Sequence, residues 1–244
     1  DDDSPHFELY NRGIISFAEF TWSGEKRTND EIKSAYRQRE FSSTLSDANF
    51  AFIDELEAPV ANWKNLLLTG KVPRNNLMRN KENIEELVMS MPQKEERGKW
   101  SKTHAAKIEQ AKATLEKCNA IAEKIGVMKE KVIRNNYTLE VYEQVNKLVR
   151  FNNEMLLTLN KYDVAKTPKD EAAALKEVKQ FPVKFKELRA TLESVYGKTR
   201  ILNKPANYIL DQDHHTHSAN QTINFDWFFM GEIHFLKKLE KSFK

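Results

Sequence analysis

The chain has 244 residues, of which 40% are hydrophobic and 31% charged, with only seven glycines and seven prolines. That composition fits one large or two small helix-rich domains and excludes collagen-like, disordered and many-turned all-β classes. The 39 basic and 36 acidic side chains nearly balance to a net charge of +3, which gives no basic face of the kind nucleic acid requires. The single cysteine excludes an internal disulfide and a zinc-type cysteine cluster.

The acidic start "DDDSPHFELY" lacks an apolar signal core, and no run approaches the roughly 18 apolar residues of a membrane span, so no membrane span is expected. An exported parent would carry its signal upstream of residue 1.

In chain order, "HFELYNRG" reads as the tail of a helix, with Gly13 as its stop. The apolar run at residues 14–20, "IISFAEF", then reads as one buried β-strand. The loop "TWSGEKRTN" follows, and after it a helix on which Thr28 caps and Glu31 closes a capping box. A strand with both faces apolar needs helices outside it and strands beside it, as in an α/β barrel, yet only one such unit is present.

From residue 46 the period is helical. Ile53, Leu56, Val60, Trp63 and Leu67 share one face, with Pro59 as a kink or helix start. A short helix near residues 81–90 precedes the loop "MPQKEERGKW". Ser101 then opens a long helix whose stripe is Ile108, Ala111, Leu115, Cys118, Ala122 and Ile125, ended by Gly126. A third helix at about 138–161 turns Val141, Val145, Leu148, Met155 and Leu159 inward, with the polar Asn152 on the same stripe. A fourth carries Leu175, Val178, Phe185, Leu188, Leu192 and Val195, interrupted by Pro182, and the last carries Phe225, Phe229, Leu236, Leu239 and Phe243. The expected fold is mainly α: an antiparallel helical bundle over 46–244, preceded over 1–45 by a short βα remnant of a TIM-type barrel.

The tightest polar cluster, "LDQDHHTHSANQT", holds His214, His215 and His217 beside Asp211 and Asp213. Imidazoles and carboxylates can bind a divalent metal, but this loop lacks a fixed catalytic spacing such as the i, i+4 histidine pair of a helical zinc site. The expectation is that these side chains cap the flanking helices; the three histidines are the candidates if a metal does bind. No cofactor is implied.

The adjacent acidic pairs Asp30-Glu31, Asp54-Glu55 and Asp170-Glu171 read as helix-start or solvent-facing residues and not as a glycosidase acid and base. Cys118 lies on an apolar stripe as a packing residue, and His104 and His234 are isolated. Glu19 and Trp22 stand apart, a charge inside an apolar run followed by an aromatic at its exit. Placed at the active-site end of a barrel strand, Trp22 would stack on a sugar ring; placed elsewhere, Glu19 would pair with a neighbouring strand and Trp22 would pack under the loop.

"NRGIISFAEFTWSG" followed by "NDEIKSAYRQREF" resembles the end of the catalytic barrel of family 20 glycoside hydrolases, the β-N-acetylhexosaminidases. The matching positions are Ala18, Glu19, Trp22, Ser23, Tyr36, Arg37 and Arg39. The stretch "KTRILNKPANYILDQDHHTHSANQTINFDWFF" further resembles the helical C-terminal extension of bacterial hexosaminidase-like proteins. That family's catalytic Asp-Glu pair and its late Trp-x-Glu motif have no counterpart in this chain.

The resemblance therefore implies a non-catalytic C-terminal fragment: the last βα unit of a barrel plus a helical domain. The parent would be a secreted or periplasmic bacterial enzyme that binds a glycan through the missing barrel and removes terminal N-acetylhexosamine, with Glu19 and Trp22 near the substrate. Family 84 hexosaminidases are the competing enzyme reading, and a helical scaffold or interaction domain without a glycosidase parent is the non-enzyme reading.

Overall fold

The computed structural model describes residues 7–23, 27–69, 84–199 and 229–243. Its helices are α1 (Phe7–Ser23), α2 (Asn29–Glu40), α3 (Phe52–Leu66), α4 (Ile84–Leu87), α5 (Lys99–Thr103), α6 (Ala105–Lys131), α7 (Asn136–Asp163), α8 (Pro168–Val178), α9 (Phe181–Tyr196) and α10 (Met230–Ser242). The mainly-α expectation holds. The strand does not, because residues 14–20 lie wholly inside α1, which runs through Gly13. Among the described residues the β-pairing is confined to one isolated antiparallel bridge, Leu68 with Val88. No barrel remnant is present there, and the backbone groups of residues 14–20 need no partner strand because helical hydrogen bonding satisfies them.

The bundle is organised around α7, which buries most of its circumference, from Leu139, Val141 and Tyr142 to Leu159 and Tyr162, and leaves one charged stripe through Glu143, Lys147, Arg150, Glu154 and Lys161 toward solvent. A helix with so wide a buried face must be flanked by others on most sides. α7 packs mainly on α3, α6, α8 and α9, and also touches α1 and α5. Against α6 its register runs in reverse: Asn146 donates to the Cys118 carbonyl at 2.9 Å, while Lys129 pairs with Glu143 at 2.8 Å. The two long helices are therefore antiparallel.

On α6 the buried row is Ile108, Ala111, Cys118, Ile121, Ile125 and Met128. Leu115 is only half-buried and Ala122 is exposed, so the simple seven-residue stripe is corrected at both positions. Gly126 does not end the helix. One interior glycine costs about 0.5–1 kcal/mol, which burial of Met128 two residues later offsets.

Local signals set several boundaries. Thr28 and Glu31 form the expected capping box: the Glu31 amide donates to Thr28 Oγ1 at 3.3 Å and the Thr28 amide to Glu31 Oε2 at 2.7 Å. Thr167 caps α8 just before Pro168, and Pro182 sits in the first turn of α9, where a missing amide hydrogen is harmless. Pro59 lies within α3, which continues through it. At the start of α5 the Asp163 carboxylate, reaching over from the end of α7, accepts from the Ser101 amide at 2.8 Å and its hydroxyl at 2.7 Å.

The core continues across residue 45. Tyr36 meets Phe41 edge-on, Phe41 stacks on Phe50 at 5.1 Å, and Phe50 leads through Phe52 to Tyr142 on α7. Residues 27–45 thus share one apolar core with α3 and α7.

Candidate functional site

The amino-terminal helix is built inside out. At 3.6 residues per turn, Glu8, Arg12, Ile15 and Glu19 recur at spacings of four, three and four, which places them along one side. That side faces the bundle. Glu8 is buried and its Oε1 accepts from the Tyr137 hydroxyl at 3.0 Å, which also lies 2.9 Å from Thr199 Oγ1. Arg12 meets Asp54 of α3 at 2.5 Å, and Lys33 of α2 reaches the other oxygen of the same carboxylate at 3.2 Å. Tyr36 and Tyr142 complete a polar cluster where four helices converge.

The opposite side of α1 carries the large apolar residues. Tyr10, Ile14 and Phe17 fall within about 60° of one another around the helix, with Phe20 on their flank. They are 49%, 47%, 74% and 44% exposed, and Trp22 in the last turn is 93% exposed. A surface helix ordinarily shows the reverse pattern, with its apolar stripe toward the core. This inversion is why residues 14–20 read as a strand: the inward positions are charged, so the apolar residues show no helical stripe aimed at the bundle.

Glu19 ion-pairs with Arg27 just beyond the helix. Together with Trp22 and Arg39 they line an open depression of about 530 Å3 between α1 and α2. Glu19 and Trp22 are therefore brought together at one surface site. Trp22 is not packed under a loop, and Glu19 takes its ion-pair partner from the α1–α2 connection and not from a strand. His214, His215 and His217 lie outside the described residues. Among the described residues no group of three or more His, Cys, Asp or Glu side chains is gathered as metal ligands, and no helix is long and apolar enough to cross a membrane.

The electrostatics of the cluster are those of a joint. Partial burial raises the Asp54 carboxyl, but hydrogen bonds and ion pairs from Arg12 and Lys33 outweigh it and hold the group below its usual range. A general acid would need the opposite shift. Burial pushes the Tyr36 hydroxyl up to about 12 and the Tyr142 hydroxyl higher still, so both stay protonated. The Tyr142 hydroxyl finds no hydrogen-bond partner among the described residues.

The acidic pairs fall as their helix positions dictate, each in the first turn of its helix. Asp30 and Glu31 open α2, and Asp170 and Glu171 open α8. Glu55 pairs with Lys124 at the surface, and Asp54, in the first turn of α3 and about a third exposed, is also the shared anchor of two other helices. Arg12 and Asp54 are what sequence reading missed, since nothing near either residue points to a partner 42 positions away (54 minus 12). Cys118 is buried as expected, and burial raises its thiol to about 11, which leaves it unreactive. No family model matches the chain, and neither does any curated protein or solved structure.

Proposed function

We propose that the chain is the non-catalytic, C-terminal helical part of a glycoside hydrolase that removes terminal N-acetylhexosamine, and that the outward face of α1 docks it to the catalytic body. One observation carries the reading. The exposed Ile14, Phe17, Phe20 and Trp22 all lie in "NRGIISFAEFTWSG", the segment whose residues resemble the hexosaminidases. An apolar face concentrated on one helix is the mark of a surface covered by another body. A catalytic barrel packed there would cover Tyr10, Ile14 and Phe17 and leave Glu19 and Trp22 at its rim, where the indole can stack on a sugar ring. Acid and base carboxylates would belong to the barrel, in keeping with an Asp54 that is neutralised by Arg12 and Lys33.

The test uses the longer product of the same reading frame, with a photo-reactive residue in place of Phe17. Cross-links should run into a preceding catalytic region, and Phe17→Asp should lower both the melting temperature and hydrolysis of an aryl N-acetylglucosaminide. The 244-residue chain alone should release no nitrophenol above the uncatalysed rate. Turnover by that chain, or a reading frame with no catalytic region before Asp1, would refute the proposal. Cross-links only to a separate protein would favour the interaction-domain reading.

A further inference from the structure

We propose that α1 is a latch: a helix that leaves the bundle as a unit while the rest stays folded, held in place by the carboxylate of Asp54. The inference is independent of any glycosidase parent. A helix of this length normally seats itself by three or four apolar side chains per two turns. Of the described apolar side chains of α1, only Leu9 and Ile15 pack on the core, and both are partly buried. The large ones face outward. The remaining hold on the bundle is polar and includes Arg12 to Asp54, Glu8 to Tyr137 and Asn11 to Tyr36 of α2.

Asp54 is placed to decide the seating. Its Oδ1 takes Arg12 and its Oδ2 takes Lys33, so one carboxylate of α3 draws in both α1 and α2. The two helices differ in what else fastens them. α2 also buries Ile32 and Tyr36, and its own capping box closes its first turn without help from α1. The Glu19–Arg27 pair joins the last turns of α1 to the residue just before the Thr28 cap of α2. Loss of the Asp54 charge therefore removes the main anchor of α1 and only one of several for α2. Local opening of this kind belongs to elements with few buried apolar contacts, and α7, which buries the largest set of side chains of any described helix, is at the other extreme.

Hydrogen exchange with peptide-level mass spectrometry on the full chain, kept dilute, tests the latch. In the unmodified protein the amides of α1 should exchange at least tenfold faster than those of α7. Asp54→Asn and Arg12→Gln should each raise the α1 rate a further tenfold or more and leave α6 and α7 unchanged. The charge swap Arg12→Asp with Asp54→Arg should restore protection, and Lys33→Ala should leave α1 as it was. Protection of α1 equal to that of α7, no change in α1 on Asp54→Asn, or equal loss of protection in α6 and α7 would each overturn the proposal. If Asp54→Asn fails to fold, Arg12→Gln decides, because a bundle that unfolds with that variant as well does not carry a separable α1.

Discussion

The Asn152 side-chain amide donates to Glu232 Oε1 at 2.7 Å inside the core, joining α7 to α10 across 80 residues of sequence. Asn152 is fully buried and Glu232 nearly so. A polar residue among apolar ones is tolerated in a core only with a hydrogen-bonding partner. Removing one side of such a pair costs more than the bond is worth, because the other side keeps its desolvation cost. Asn152→Leu should therefore destabilise the protein by about 1–3 kcal/mol in a denaturant melt despite its added apolar surface. An unchanged or raised stability would mean that the bond to Glu232 does not hold α10.

A second expectation separates neighbours on α6. Ile121 is fully buried in the core against α7, whereas Leu115, one of the two positions corrected above, is half-buried. Ile121→Ala should cost about 2–5 kcal/mol through lost transfer energy and a cavity. Leu115→Ala should cost less than half of that, because its surroundings include solvent and leave no closed cavity. Equal costs would restore the simple stripe on which Leu115 is a central residue.

What could be read in advance follows from the range of the physics involved. The capping box of Thr28 and Glu31 and the apolar face of α7 are local patterns, and each was legible. Asn152 was visible as an anomaly on its stripe, but its partner lies too far along the chain to be identified. Residues 14–20 misled for a different reason. A short apolar run bounded by a glycine does not separate strand from helix by itself, and the discriminating signal was distributed over Glu8, Arg12 and Glu19 as a charged stripe turned inward. Reading that stripe correctly requires knowing that Asp54 and Tyr137 wait beneath it. The candidate site is for that reason half legible: Glu19 and Trp22 stood out by residue type, whereas Arg12 and Asp54 did not.

Lys107 provides a third test. Its ammonium donates to the carbonyls of Asn65 at 3.1 Å and Leu66 at 3.0 Å and also to that of Leu68, and so caps the end of α3 from α6. A cation is favoured there by the helix dipole and by carbonyls that have no helical partner. Burial lowers the Lys107 pKa, so the hydrogen bonds are made at some desolvation cost. Lys107→Met keeps the apolar stem and removes three donated bonds at once, and it should lower stability by about 1–3 kcal/mol. Local amide exchange should increase at the end of α3 more than along α7. Uniform change across both helices would place the effect elsewhere than the cap.

The last prediction concerns pH. Burial lowers the pKa of His104, which packs edge-on against Trp100 at 4.7 Å, and the nearby Lys107 charge lowers it further. Burial does the same for His234, with Lys237 adding to it and Glu85 opposing. A histidine with a depressed folded pKa binds its proton more weakly in the native state than in the unfolded chain, so the unfolded state gains protons first on acidification. The stabilisation these neutral rings provide is complete above the ordinary histidine value of about 6.5 and is lost as pH falls through their lower folded values. The melting temperature should therefore decline from about pH 6.5 to pH 5, before the carboxylates take part, since ion pairing holds Asp54 and Glu143 below their usual range near 4. In the double variant His104→Gln, His234→Gln that early decline should flatten, and the steeper loss below about pH 4 should remain. A decline of the same slope in the double variant would assign the acid sensitivity to groups other than these two histidines, and a melting temperature that rose from pH 6.5 to 5 would contradict the direction of both shifts.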